Sequence, residues 1–202
     1  LPQDGFAILN ADDPRVLRMR ERTAAQVITY GFDRSADVSA RRVRSSGADG
    51  MRFQLRTPSP DGPVMTAASI PTLGRLSVHN ALAAAAVGIA VGMAPAEIVE
   101  SLASGWSAPH RGQLVRVGGL TIVDDSYNAS PASMLAALDT LAGLPGRRVA
   151  VLGEMLELGD GAAEGHHAVG RAAARTCSLL VTIGLGAAGI ARGAEEAGLD
   201  KS

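Results

Sequence analysis

Lysine is almost missing from this sequence. Lys201 is the only one, and every other basic residue is arginine. No lysine in the body of the chain can therefore close a phosphate-binding loop of the Gly-Lys-Thr kind. Aromatic residues make up 3%, too few for the stacking platforms on which proteins bind single-stranded nucleic acid. Cysteine occurs once, so no intrachain disulfide can form. Cys177 lies beside an apolar run and reads as a small buried hydrophobe rather than a nucleophile. A charge excess is missing as well: the formal net charge is -1, which favours neither nucleic acid nor an anionic membrane. Residues 81–93 form an apolar stretch too short to cross a bilayer, and no secretory signal is visible, so a cytoplasmic protein is expected. What is present is a hydrophobic content of 47% over 202 residues, enough to build one domain or two small ones.

The chain opens as strand, turn and helix. Residues 6–9 are a short apolar run, and Asp13 with Pro14 reads as an N-cap followed by the first helical position of a helix to residue 23. A strand at 25–30 ends at Gly31. Residues 37–70 change texture, with polar and apolar residues alternating around two turn clusters, at 46–50 and 58–63, so a small antiparallel meander is expected. Residues 73–93 read as a helix whose segment 80–87 is too apolar to face water. Pro95 starts another helix, running to 104. The pattern resets at Trp106–Arg111. Strands at 114–117 and 120–123 flank Gly118-Gly119, a hairpin signal. A helix at 130–144, a strand at 148–152, a helix at 166–175, a strand at 179–183 and a helix at 187–197 complete the chain. That alternation argues a doubly wound α/β domain with a parallel sheet, beginning near Pro109. Both ends read as cut. The chain begins directly on a strand, and it stops where an α/β domain normally enters another one.

Five stretches invite chemistry. Asp124-Asp125 ends an apolar strand just before a helix starting at Pro131, and ligands of open α/β sheets collect at the carboxyl ends of strands. Two acids there suit hydroxyls or a metal; equally, Asp125 or Ser130 could simply cap the helix. Arg111, at the junction of the two halves, is either a phosphate clamp or a surface arginine beside a linker. Gly184-Leu185-Gly186-Ala187-Ala188-Gly189 is formally a dinucleotide fingerprint, but the acid expected about 20 residues further on is missing. His166 and His167 point about 100° apart on a helix, have no metal-ligand spacing, and read as surface or helix-start residues. Asn10, Asp12 and Asp13 also come after a strand and could line a crevice or merely form a capped turn.

Several segments together resemble the Mur ligase family. They are Asn10-Ala11-Asp12-Asp13-Pro14-Arg15-Val16, Asn80-Ala81-Leu82-Ala83-Ala84-Ala85-Ala86, Arg111-Gly112, Asp124-Asp125-Ser126-Tyr127-Asn128-Ala129-Ser130-Pro131 and Gly153-Glu154-Met155-Leu156-Glu157-Leu158-Gly159. His166 and Val169-Gly170 extend the match, and the resemblance covers nearly the whole chain. It implies the end of a P-loop-type central ATP-binding domain at 1–109, then most of a Rossmann-like parallel-sheet C-terminal domain at 110–202. The implied activity is ATP-dependent joining of D-alanyl-D-alanine to UDP-N-acetylmuramoyl-tripeptide in peptidoglycan precursor synthesis. The carboxylate is first phosphorylated to an acyl phosphate, with ATP and Mg2+ required. The resemblance assigns Asn80 to adenine, Asp125 to the ribose with Tyr127 beside it, and Arg111 to the γ-phosphate. Where the family carries a histidine two residues after the glycine matching Gly74, this sequence has Leu76, with His79 three residues further on. The family's phosphate loop, carbamylated lysine and magnesium ligands are expected upstream of this chain, and Lys201 can replace neither lysine, so the 202 residues alone are expected to be inactive. Competing readings are a sister ligase, a folylpolyglutamate-synthetase-like ligase, a nicotinamide-dependent oxidoreductase resting on 184–189, or a nucleotide- or partner-binding module without catalysis.

Overall fold

A computed structural model describes residues 1–105 and 108–200 of the chain. Trp106 and Lys201, singled out in the sequence, lie outside them. The chain divides into two compact units, Leu1–Trp106 and Ser107–Ser202, each with a hydrophobic core of its own.

The first unit is a mixed five-stranded sheet with helices packed on it. Strand β1 (Phe6–Asn10) leads into a single α-helical turn, α1 (Pro14–Leu17). Asp13 caps that turn by accepting from the Arg15 N–H at 2.8 Å, with Pro14 at the first helical position, as the sequence suggests. The α-helix expected to reach residue 23 instead tightens into a 3-10 helix over Arg18–Arg22. None of its residues is buried, so no packed face rewards the wider α-helical turn. Strand β2 (Gln26–Gly31) pairs parallel with β1 along its length. The meander comes next as β3 (Val38–Ser45), β4 (Met51–Thr57) and β5 (Val64–Ile70), antiparallel to one another. It is not a separate sheet: β3 also pairs parallel with β2, through Tyr30–Val38 and Gly31–Ser39, giving the order β1-β2-β3-β4-β5. Asp37 secures the join, its carboxylate accepting from the Thr29 N–H and hydroxyl at 2.8 and 2.7 Å.

Helix α2 (Gly74–Ala90) crosses this sheet, and α3 (Pro95–Ser104) packs on β5. Pro95 starts α3, and Glu97 reaches back to the Ala94 N–H at 2.7 Å. Val78, Ala81, Leu82, Ala85 and Ala86 of α2 are buried against Val38, Phe53 and Leu55 of the sheet. The expectation that all of 80–87 avoids water needs correcting. Asn80, Ala84 and Val87 lie on an exposed side, because alanine lets one stripe satisfy the core without needing the whole circumference.

The second unit opens with a hairpin, β6 (Gln113–Val117) and β7 (Leu120–Asp124), turned on Gly118-Gly119 with both φ angles positive. Then come helix α4 (Pro131–Ala142), strand β8 (Val149–Gly153), helix α5 (Ala162–Thr176), strand β9 (Leu179–Ile183) and helix α6 (Ala188–Glu196). The parallel pairing expected of an α/β domain is present between β8 and β9, while β6–β7 forms its own two-stranded sheet among the described residues. Helix α5 starts at Ala162, four residues before the first histidine, after a 3-10 turn over Gly159–Gly161. It packs between α4 and α6, and Val169, Ala173 and Ile190 are fully buried in this core. Cys177 is buried beside them, as read from the sequence. Among the described residues no helix is long and apolar enough to cross a membrane.

Candidate functional site

The hairpin builds the site. Its register pairs Gln113 with Asp124, and continuing it outward sets Gly112 opposite Asp125 and His110 opposite Tyr127. Both pairs are bonded: Asp125 Oδ1 accepts from the Gly112 N–H at 2.9 Å, and the Tyr127 N–H donates to the His110 carbonyl at 3.0 Å. Arg111, between these two rungs, lays its guanidinium over the Tyr127 ring, 4.0 Å from the centroid. Three residues singled out in the sequence, Arg111, Asp125 and Tyr127, thus sit together at the carboxyl end of β7. Asn80 belongs to the other unit and is exposed on α2.

A bracket that sequence reading did not name holds these residues. His110 Nδ1 lies 2.8 Å from Asp124 Oδ2, while Asp124 Oδ1 accepts from the Ser126 hydroxyl at 2.7 Å and the Ser126 N–H at 3.1 Å. His110 adopts a positive φ of 61°, a conformation uncommon outside glycine and concentrated at functional sites. The hairpin signal contains this bracket implicitly, because extending the register past the ends of the two strands brings 110 to 127.

The two adjacent acids differ electrostatically. The Ser126 hydroxyl, then His110, holds the Asp124 carboxyl down at about 2. Partial enclosure of its carboxyl group pushes Asp125 up, against the Gly112 N–H and the Arg111 charge, which favour the ionised form. Capping of α4 falls to neither acid: the Ser130 hydroxyl accepts from the Ser133 N–H at 3.2 Å, and Ser133 returns the bond to the Ser130 N–H at 2.9 Å. Asp125 is therefore not spent on a helix. Its second oxygen has no hydrogen bond among the described residues, which suits a carboxylate that accepts from ligand hydroxyls.

The other sequence candidates have structural duties. Asp12 accepts from the Phe32 and Asp33 N–H groups at 2.8 and 2.9 Å, tying the end of β1 to the end of β2. His79 Nε2 reaches Asn10 Oδ1 at 3.2 Å and Asp12 Oδ2 at 3.4 Å, and its ring meets Tyr30 at 5.1 Å. His166 is no surface residue: it is 5% exposed, its Nε2 accepting from the Met155 N–H at 2.9 Å while Nδ1 faces the Ala162 carbonyl at 2.7 Å. Both ring nitrogens thus meet backbone groups, one in the loop after β8 and one in the first turn of α5. The glycine-rich turn after β9 holds an internal anion, Glu154, whose Oε2 accepts from the Gly186 N–H at 2.9 Å. A dinucleotide pyrophosphate would have to displace that carboxylate, which weighs against the oxidoreductase reading. Among the described residues no group of three or more His, Cys, Asp or Glu is placed to hold a metal ion.

Residues 1–88 match the Mur ligase middle domain, and residues 110–201 match the Mur ligase glutamate ligase domain. The chain is 38% identical over 195 residues to the UDP-N-acetylmuramoyl-tripeptide--D-alanyl-D-alanine ligase of Mycobacterium tuberculosis, a match covering 92% of this chain and 38% of that protein. It superimposes on MurF from Acinetobacter baumannii with a TM-score of 0.83 and 33% identity, over 96% of this chain and 41% of that one. The MurF ligase of Thermotoga maritima in complex with ADP shares the fold, with a TM-score of 0.80 at 23% identity, over 93% of this chain and 42% of that one. The chain thus spans well under half the length of the relatives it matches.

Proposed function

The chain belongs to the Mur ligase family, and from that membership we propose that it serves an ATP-dependent ligase that joins D-alanyl-D-alanine to UDP-N-acetylmuramoyl-tripeptide through an acyl phosphate, in the cytoplasm, during peptidoglycan precursor synthesis. In this reading residues 1–109 are the C-terminal part of the central ATP-binding domain, and 110–202 most of the C-terminal Rossmann-like domain. The observation that carries the reading is the trio Arg111, Asp125 and Tyr127, held together at the end of β7 with one Asp125 oxygen still available.

ATP fits these residues. In this proposal the Asp125 carboxylate accepts from the ribose hydroxyls, and Tyr127 flanks it. Arg111, its guanidinium plane already set by the Tyr127 ring, steadies the transferred γ-phosphate, where a rigid fork matches phosphate oxygens. Asn80, exposed on α2, has the amide needed to read the adenine edge. Mg2+ would neutralise the phosphates, and the described residues form no ligand set for it.

The test is phosphate release from ATP by a ligase containing this chain. Release that requires both UDP-N-acetylmuramoyl-tripeptide and D-alanyl-D-alanine is the expected result. Equal release with a single amino acid replacing the dipeptide would move the assignment to a sister ligase. The 202 residues alone, with Lys201 as their only lysine, are expected to release none.

A further inference from the structure

Strands β3 and β4 carry Arg41, Arg42, Arg44, Arg52 and Arg56 and not one acidic residue. Arg44 and Arg52 are direct register partners, an arrangement that like charges make unfavourable. Arg56 is occupied by the Ala36 and Asp37 carbonyls. Beside it, β3 pairs with β2 at only two positions, so from Ala40 onward that edge of β3 faces a gap. A cavity of about 560 Å³ on this part of the unit is lined by Arg34, Arg41, Arg42 and Arg75, all four exposed. No acidic residue lines it, and none of the four arginines has a carboxylate partner among the described residues.

The backbone is shaped to make this convergence. Strand alternation would send Arg41 and Arg42 to opposite faces, but a register shift between Arg41 and Arg44 lets both line the cavity. The shift puts Arg42 at a φ of 52°, where glycine would be easier. Arg75 stacks on the Phe32 ring, 3.8 Å from its centroid, so its guanidinium plane is set in advance. Gln54 adds a neutral amide and Met65 an apolar wall. Four exposed guanidinium forks with no carboxylate partner among the described residues, around a volume in the range of small-molecule sites, suit an anion with several oxygens.

We propose that this cavity, built wholly from residues of the first unit, binds a compact phosphate-bearing polyanion of nucleotide size or smaller. The proposal does not depend on the ligase reading, since every residue it uses lies in the first unit. Inorganic triphosphate is the probe, titrated calorimetrically into the 202-residue chain. One saturable site is expected, weakening as salt rises. Arg41→Ser, Arg75→Ser and Arg42→Gly should each weaken binding by about tenfold or more, the loss expected for one charge-assisted contact. Arg42→Gly suits the backbone there, so it keeps the test decisive if another variant melts early. Arg20→Ser, at an exposed arginine of the first unit outside the cavity, should leave the affinity unchanged. Absence of saturable binding at millimolar triphosphate, or unaltered binding in Arg42→Gly and Arg75→Ser, would overturn the proposal, as would binding lost equally in Arg20→Ser.

Discussion

Two neighbouring acids, Asp124 and Asp125, are driven in opposite directions by their surroundings, and their variants should part company accordingly. Asp124 is held near 2 by the Ser126 hydroxyl and His110, below its ordinary 3.8. Its ionised form is favoured in the native state, so the stability it contributes is present above about 3.8 and is lost as the pH falls through about 2. Melting temperature measured from pH 5 down to pH 2 should therefore fall less steeply in Asp124→Asn than in the parent chain, and equal slopes would dismiss the bracket. Asp125 is raised by enclosure, so its ionised form costs stability at neutral pH. Asp125→Asn, whose amide oxygen can still accept from Gly112, should melt at or above the parent temperature. In a ligase containing this chain, Asp125→Ala should raise the KM for ATP about ten- to hundredfold and spare kcat, because a ribose gains no charge during phosphoryl transfer. Arg111→Ala should mainly lower kcat, with partial rescue in Arg111→Lys, since an ammonium lacks the fork. A parental KM for ATP in Asp125→Ala would end the ribose assignment. The acids were legible in sequence as residues at the end of an apolar strand, and Arg111 as an arginine at the junction of the two halves. The sequence left the capping of α4 open between Asp125 and Ser130, because both residue types are good caps, and the structure gives it to Ser130, directly before Pro131.

At the scale of elements, the signals that read well are those whose physics is local. Pro14, Pro95 and Pro131 each open a helix, and Gly118-Gly119 turns a hairpin in the expected register. Ser130→Ala should cost the second unit about 1 kcal/mol, seen as a melting point lower by roughly 4–8 °C. Contacts between elements were not readable. Helices α5 and α6 approach so closely that a Cβ on Gly170 would strike the Ile190 carbonyl and lie 2.8 Å from the Ala194 nitrogen, and a Cβ on Gly193 would strike the His167 carbonyl. In an isolated helix Gly→Ala gains about 0.5–1 kcal/mol. Gly170→Ala should instead destabilise, by about 1–3 kcal/mol, because overpacking at a backbone contact cannot relax by a rotamer change. A raised denaturation midpoint in Gly170→Ala would refute that approach of the two helices.

For the molecule as a whole, two separate cores predict two independent folding units. Residues 108–202 expressed alone should melt cooperatively. Ile190→Ala, at a fully buried position, should cost about 2–5 kcal/mol there and the same amount in the 202-residue chain. A non-cooperative melt of 108–202, monitored by far-ultraviolet circular dichroism of its helices, would show that its core needs the first unit. The change of texture near residue 109 pointed to two domains because alternation gave way to a new series of strand and helix periods. It could not reveal that the antiparallel meander continues the β1–β2 sheet, since the joining pairs, Tyr30–Val38 and Gly31–Ser39, carry no mark in either segment.

Sequence by itself determined the helix starts at Pro14, Pro95 and Pro131, the hairpin turn, the apolar strands and the acid pair at the end of β7, because caps, turns and periodicity act within a few residues of one another. Tertiary structure alone decided the roles of the polar side chains that meet across elements. His166 reads as an ordinary helix residue, yet it is buried by the Met155 loop and bonded through both nitrogens. Glu154 reads as one more acid in a loop until the turn at Gly186 supplies its partner 32 residues away. Arg42 and Arg75, 33 positions apart in the chain, share a cavity only because β3 leaves β2 after two pairs and α2 begins nearby. A charge in sequence has no partner assigned to it; the fold chooses one, or leaves it for a ligand, by setting distance and burial.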